Sequence, residues 1–446
     1  MTTPARPPGP KSRIPGATLL AFRRDPLAFF ERLAREHGDF VHWRIGTLDF
    51  FLLNHPDLIK EVLVTRQASF IKSRGLQRAK RFLGEGLLTA EGDAHRRQRR
   101  LAQPAFHKER VTSYGEAMVE HAAKTRDRWT DGVPLDASKE MMRLTLAIVA
   151  RTLFGAEVED EAEEIDAAFT AIIGQFNRML LPFSEYFDKL PLPSNKKLER
   201  AAGRLDETIF RMIAERRASG ETGTDLLSML MSARDDEGDG TGMSDRQLRD
   251  ESMTIFLAGH ETTANALTWT WFLLARHPEV ERRMHAEIDE VLEGRLPTVA
   301  DLPRLAYTEM VFAESMRLYP PAWAIGRAAT EDVSIGDFVV PEGSMVLMSQ
   351  WVMHRDKRFF PDPLAFDPER WRPEARAARP KFSYFPFGGG ARVCIGEPFA
   401  WMEGVLLLAT IAQKWRLRLS PEARVAIAAI ITLRPRHGMP MIPEAR

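Results

Sequence analysis

Apolar residues recur along this chain at two spacings, and the changes of spacing mark its elements. Residues 25–37 carry apolar positions three and four apart, with Pro26 opening and Gly38 closing the run, which predicts a helix. Two alternating runs follow, FVHWRI and LDFFLLN, and predict a small β element. From His55 to about Leu292 the helical period dominates, most clearly in EMMRLTLAIVARTLFG and KKLERAAGRLDETIFRMIAERRAS. RDDEGDGTGM at 234–243 is a polar loop, and Ser244 and Gln247 directly after it stand at capping-box spacing. A helix starting there meets no breaker until Pro278, so it runs for about 30 residues and about 45–50 Å.

Beyond it, EVERRMHAEIDEVLEG and AYTEMVFAESMRLY predict two more helices, and VSIGDFVVPEGSMVLMSQWVM a hairpin with a proline–glycine turn. Residues 357–396 are rich in Pro, Phe and Arg without periodicity, and a final helix is expected from about Glu397 to Trp415. Long irregular stretches inside compact domains are usually functional.

Composition narrows the chemistry. The 62 Lys and Arg balance 62 Asp and Glu, so no net field draws the chain to nucleic acid or an anionic membrane. A single cysteine excludes an internal disulfide framework, a cysteine-only zinc site and a four-cysteine iron–sulfur cluster, and it fits a reducing cytoplasm. The N-terminal MTTPARPPGPKSRIPG lacks the apolar core of a signal peptide, and no stretch offers the roughly 20 apolar residues of a spanning helix. A soluble, cytoplasmic protein is expected, whose redox chemistry needs a bound cofactor.

The irregular stretch ends in FPFGGGARVCIGEPFAWMEG. Glycines before Cys394 let backbone approach a flat ligand closely, and the amides of a helix start stabilise a thiolate. Arg392 can pair with an anionic group on that ligand. A thiolate is also the axial ligand that pushes electron density onto haem iron and favours O–O cleavage. Phe387, Gly390, Arg392, Cys394 and Gly396 together reproduce the pattern FxxGxRxCxG, and on these positions the chain resembles the cytochrome P450 family. The plainer reading, an inert buried cysteine behind a glycine turn, leaves the rest of the pattern unexplained.

Three further motifs follow in the family's order. Glu314 and Arg317 share a helix face, and Arg370 in PERW follows, which by the resemblance makes a Glu-Arg-Arg network bracing the cysteine loop. Trp371 stands where the family usually has Phe. The same Glu-to-Arg spacing at Glu140 and Arg143, Glu279 and Arg282, and Glu369 and Arg372 reads as solvated pairs. In FLAGHETTANALTW, Gly259 costs about 1 kcal/mol relative to alanine, and Thr262 can bond back to the Ala258 carbonyl, opening a local groove. AGHETT resembles the family's oxygen-binding motif, which implies Glu261 as proton-relay acid and Thr262 as the hydroxyl that positions dioxygen and its waters. GDAHRRQRR places His95 and Arg99 on one helical face, suited to two propionates, and Arg327 is a further propionate candidate by position. Arg96, Arg97 and Arg100 form either a solvated cationic face or a docking patch for an acidic electron carrier. His107, His260 and His354 have no metal-ligand spacing and read as structural or solvated.

The resemblance spans roughly residues 15 to 440 and implies a mainly α fold with a small β part and a long central helix over the haem. It implies one haem domain over 15–446 behind a flexible, Pro-rich segment at 1–14, with the two β elements joined in one mixed sheet. Haem b would be ligated by Cys394, with Phe387, Gly388, Gly396 and Ala258 also at the cofactor. O2 would be the co-substrate, one oxygen atom entering a C–H bond of a lipophilic molecule such as a fatty acid, terpenoid or steroid, or epoxidising it. With no cluster cysteines and no flavin or dinucleotide motif, electrons from NAD(P)H would come through a separate ferredoxin or flavodoxin and its reductase. A monomer without a nucleic-acid partner is expected. The family layout puts Phe82, Leu87, Phe176, Leu180, Ala322, Trp323, Ala324 and Leu433 at the substrate. Two alternatives stay open: a peroxide-using haem enzyme (peroxygenase or hydroperoxide isomerase), against which the acid–threonine pair argues, and a non-catalytic haem-binding protein.

Overall fold

The computed structural model describes residues 6–11, 16–156, 162–174, 190, 192–220, 223, 225–235 and 240–446. They fall into two units, each built from two chain segments: Met1–Arg78 with Met316–Cys394, and Ala79–Ser315 with Ile395–Arg446.

In the first unit the expected N-terminal helix is Pro26–His37. Asp25 caps it by accepting from the Ala28 N–H at 3.0 Å, and Gly38 ends it at φ 86°. The alternating runs become antiparallel strands Phe40–Ile45 and Leu48–Leu53. Leu48–Leu53 then pairs in parallel with Met345–Met348, which continues antiparallel to Ile325–Ala329 and on to Phe70–Lys72. The result is the expected mixed sheet, and its core face buries Phe51, Leu53, Val346 and Met348 with Val62 and Phe385. The expected hairpin across the proline–glycine turn is corrected: Val333–Ile335 pairs with Phe338–Val340 around Gly336, and Met345–Met348 leaves for the five-stranded sheet. QWVM is a short helix, Gln350–Met353, with Ser349 as its cap. Alternation marks a strand but not its partner, and this strand's neighbours are remote in sequence.

The second unit is built on the helix Asp245–Arg276, whose 32 residues extend about 48 Å. Its capping box forms as expected: the Gln247 N–H donates to Ser244 Oγ at 3.3 Å and the Ser244 N–H to Gln247 Oε1 at 2.9 Å. Nearly every side is buried, with Trp269 and Trp271 fully so. Helix Ala137–Phe154 packs along it. Gly259 permits the approach, because a Cβ there would stand 3.0 Å from Val149 Cγ2, and Thr145 Oγ1 donates across to the His260 carbonyl at 3.0 Å. The final helix, Glu397–Ala412, stops short of Trp415, which instead opens the strand Trp415–Leu419. That strand pairs with Pro440–Ala445, and Ile427–Ala429 pairs with Leu433–Pro435 as a hairpin pinned by Trp269, whose Nε1–H donates to the Leu433 carbonyl at 2.9 Å. The fold is mainly α with small β sheets, as expected. No helix among the described residues is long and apolar enough to cross a membrane.

Candidate active site

Cys394 is exposed, which is unusual for a free cysteine and is set by the loop before it. Two tight turns shape it, the Gly388 N–H donating to Phe385 O at 2.9 Å and Val393 to Gly390 O at 3.1 Å, and the Cys394 N–H closes the loop on Phe387 O at 3.0 Å. Gly390, at φ 69°, allows no side chain, since a Cβ would overlap the Leu63 carbonyl oxygen. Next to it the Ala391 N–H donates to Gln67 Oε1 at 3.0 Å. Leu63 lies in a π-type turn, Glu61–Thr65, so the cysteine loop is seated on an irregular, fixed support. Phe387, Gly388 and Arg392 are half-buried around the sulfur's end of the loop, and Gly396 caps the helix Glu397–Ala412.

The base of the loop is held by His354, for which the sequence predicts a structural or solvated place. Its Nε2 accepts the Phe385 N–H at 3.0 Å, and complete burial, with Arg317 and Arg355 nearby, holds the imidazole neutral well below its ordinary range. Arg317 is itself fully buried and donates to the carbonyls of His354 and Pro363 at 2.7 Å and of Ala365 at 3.0 Å. Arg370 donates to the carbonyl of Asp362 at 2.9 Å, where the chain takes a left-handed φ of 47°. The two arginines therefore fix one segment, and Glu314, one turn before Arg317 on helix Ala306–Leu318, is also fully buried. Trp371 packs on Tyr384 with ring centroids 4.3 Å apart, filling the place of the usual Phe. Glu140–Arg143 and Glu369–Arg372 are ion pairs with their arginines facing solvent.

The long helix carries the second set. Between Leu248 and Leu274 every residue is buried except Ala258, which is exposed, and Gly259 and Thr262, which are half-buried. These lie on one face, and the Thr262 hydroxyl donates to the Ala258 carbonyl at 2.8 Å. Glu261 points elsewhere. It is buried, and its Oε1 accepts from the Thr432 hydroxyl and from Arg434 Nε at 2.7 Å. Among the described residues no hydrogen bond joins the Glu261 carboxylate to the Thr262 hydroxyl, since consecutive helical residues diverge by about 100°.

The cations lie on one helix and two strands. His95 is buried and Arg99 half-buried on one face of helix Gly92–Ala102. Arg327 is buried on its strand, and directly opposite it in register lies Lys72, also buried. Like charges facing each other across strands are unfavourable unless an anion meets them. Lys72 had no signal in the sequence because its strand is only three residues long. Arg97 and Arg100 instead converge on the buried Asp235, at 3.3 and 2.7 Å, and Arg96 pairs with Asp93, which leaves little free charge for a docking patch.

An exposed thiol closing a glycine loop, an uncovered helix face and buried cations each fit a haem. The sequence model of the cytochrome P450 family matches residues 7–433. The chain belongs to the cytochrome P450 family. It is similar to cyclooctatin synthase of Streptomyces melanosporofaciens, with 44% identity over 437 residues that cover 96% of this chain and 93% of that protein. It is similar also to cyclooctat-9-en-7-ol 5-monooxygenase of the same organism, at 41% over 409 residues (91% and 88%), and to pentalenene oxygenase of Streptomyces avermitilis, at 38% over 412 residues (92% and 91%). This cytochrome P450 is thus a haem-thiolate monooxygenase that acts on lipophilic substrates with haem iron and O2.

Of the residues expected at the P450 substrate, Phe82, Leu87 and Leu433 are buried in the second unit, and Ala322 and Ala324 are half-buried in the first. Trp323 packs on Phe30 with centroids 5.8 Å apart. Phe176 and Leu180 lie outside the described residues. The segment 82–87 is clamped by three successive residues of the long helix that the sequence did not single out. Arg249 donates to the Phe82 carbonyl at 2.8 Å, while Asp250 and Glu251 accept from the Glu85 and Leu87 N–H groups, each at 2.9 Å. Burial pushes Glu251 up to about 8, the Leu87 bond offsetting part of the rise. On helix Glu397–Ala412, burial likewise pushes Glu403 up to about 8 against a smaller opposing effect of Thr263.

Proposed function

We propose that this cytochrome P450 oxygenates an apolar cyclic alkene or its monohydroxylated derivative, the chemistry carried in the names of its relatives, whose reactants include pentalenene and cyclooctat-9-en-7-ol. Phe82, Leu87 and Leu433, put at the substrate by the family layout, would offer such a molecule apolar contact. Cys394 would hold the iron of haem b through its thiolate, and the observation that carries this reading is its exposure at the end of a loop locked by Leu63, Gln67 and His354. By the family's motifs Arg392, His95, Arg99 and Arg327, with Lys72 in register opposite Arg327, would pair with the haem carboxylates, and Phe387, Gly388, Gly396 and Ala258 would hold its ring. When bound, the haem supplies the activation of O2. Thr262, its hydroxyl anchored on the Ala258 carbonyl, orients water on the open face of the long helix, and Glu261 handles the protons consumed there. Electrons from NAD(P)H arrive through a ferredoxin or flavodoxin and its reductase, and the protein works as a cytoplasmic monomer.

A spectral titration tests the substrate class. Pentalenene, cyclooctat-9-en-7-ol, a fatty acid and a steroid are each added to the haem-loaded protein, and turnover is followed under labelled O2. A spectral shift with a cyclic alkene or its alcohol, and one labelled oxygen in the product, is expected. Shifts and products from the fatty acid or steroid alone would contradict the proposal.

A further inference from the structure

We infer that Arg249 is a positioning residue for substrate discrimination: its guanidinium, with Asp250 and Glu251 after it, fixes the backbone that carries Phe82 and Leu87, and so sets how well a bulky molecule is received beside them. The inference rests on the family layout that puts Phe82 and Leu87 at the substrate.

Arg249 is buried, and its planar fork meets groups on three elements. Nε donates to Asp206 Oδ1 at 2.6 Å, on helix Pro193–Ser219, Nη2 to the Phe82 carbonyl at 2.8 Å, and Nη1 to Asp250 Oδ1 at 2.9 Å. Asp250 passes the constraint on, since its Oδ2 accepts the Glu85 N–H, and Glu251 accepts the Leu87 N–H. Backbone groups at 82, 85 and 87 therefore hang on three successive residues of the long helix. From helix Gly92–Ala102, Gln98 Nε2 donates to the Glu85 carbonyl at 2.5 Å. The fit leaves no room for side chains at the two glycines between: a Cβ on Gly84, at φ 69°, would overlap the Asp250 carboxylate, and one on Gly86 the Asp250 carbonyl oxygen. A second arginine repeats the tie one residue earlier. Arg81 Nη2 donates to Glu199 Oε1 at 2.9 Å, and its guanidinium lies 5.3 Å from the centroid of the Phe82 ring. Glu199 and Asp206 stand seven residues apart on helix Pro193–Ser219, on one face, so both ties run to the same side of that helix.

A buried guanidinium is stable only while its donors are met, which makes this junction all-or-none rather than gradual. A segment held at three backbone points presents Phe82 and Leu87 without an ordering cost at the moment of binding. A ligand large enough to touch them gains from that, and a small one does not. A purely structural ion cluster would raise thermal stability without separating large ligands from small.

Arg249→Gln, Asp206→Asn, Phe82→Ala/Leu87→Ala and the triple variant joining the first and third are compared with the parent as haem-loaded full chains. Spectral titrations use two azoles that ligate haem iron, imidazole and the bulky clotrimazole, and hydrogen exchange is followed at the amides of 84–90. Arg249→Gln should speed that exchange and weaken clotrimazole at least about fivefold, with imidazole unchanged within about twofold. Asp206→Asn should act in the same direction to a smaller degree, and because the Asp206 side chain is 36% exposed it keeps the test open if Arg249→Gln does not fold. In the triple variant the loss of Arg249 should add less than about twofold to the effect of Phe82→Ala/Leu87→Ala. Weakening of both azoles by the same factor, or faster exchange with clotrimazole affinity unchanged, would overturn the positioning role. Clotrimazole affinity untouched by Phe82→Ala/Leu87→Ala would instead overturn the placing of those two side chains at the substrate.

Discussion

Replacing Glu403 by Gln should make the protein less sensitive to rising pH. The folded protein keeps this fully buried carboxyl protonated up to about pH 8, whereas the unfolded chain releases the proton near the ordinary value of 4.5. Between those values the folded state binds the extra proton, so stability falls as pH rises, by about 1.4 kcal/mol per pH unit, and the loss levels off above about 8. From pH 4.5 to 7 that amounts to about 3 kcal/mol, a large share of a typical folding free energy. Glutamine has no proton to lose, so the stability of Glu403→Gln relative to the parent should climb with this slope. Any cost of fitting the amide beside Thr263 does not change with pH and drops out of the slope. Glu251, also held up to about 8 by burial, contributes equally to both proteins and cancels. Urea unfolding at intervals from pH 5 to 8.5, followed by tryptophan fluorescence, reads the difference. Parallel pH profiles for the two proteins would refute the argument, because they would mean that Glu403 ionises in the folded state as freely as in the unfolded chain.

Two further substitutions probe the support of the cysteine loop. Arg317→Lys cannot serve all the carbonyls of His354, Pro363 and Ala365 and should cost about 2–5 kcal/mol in urea unfolding, with reduced haem retention, by leaving buried acceptors unmet. Gly390→Ala should abolish haem incorporation on expression, because its Cβ would overlap Leu63, whereas Gly220→Ala, at a similar φ of 63° in open space, should cost only about 1–2 kcal/mol and leave haem content unchanged. Equal haem loss in the two glycine variants would show that backbone strain, and not the contact with Leu63, is what matters.

Local chemistry was legible in the sequence where a few neighbouring residues decide the outcome. Asp25 and Gly38 bound one helix and Ser244 and Gln247 start another, because capping acts within one turn. The thiol and its glycines were likewise readable as a linear pattern. What escaped depends on partners distant in sequence. Met345–Met348 pairs with Leu48–Leu53 rather than with the adjacent strand, and the C-terminal strands, three to six residues long, are too short for alternation to separate from a helix end. Lys72, His354 and Arg434 carry no local signature, and each acquires its meaning only from the residue that the fold sets against it. AGHETT named Glu261 and Thr262 together, but the helix turns them to different faces, and only the fold discloses that the acid is held by Arg434.

The assignment of Cys394 as the iron ligand is tested most directly by the absorption spectrum of the reduced, CO-treated protein after Cys394→Ser. The parent should show the band characteristic of thiolate-ligated haem, and the variant should lack it while its far-ultraviolet circular dichroism stays that of a folded, mainly helical protein. Survival of the band in the variant would contradict the account, since Cys394 is the only thiol the chain possesses.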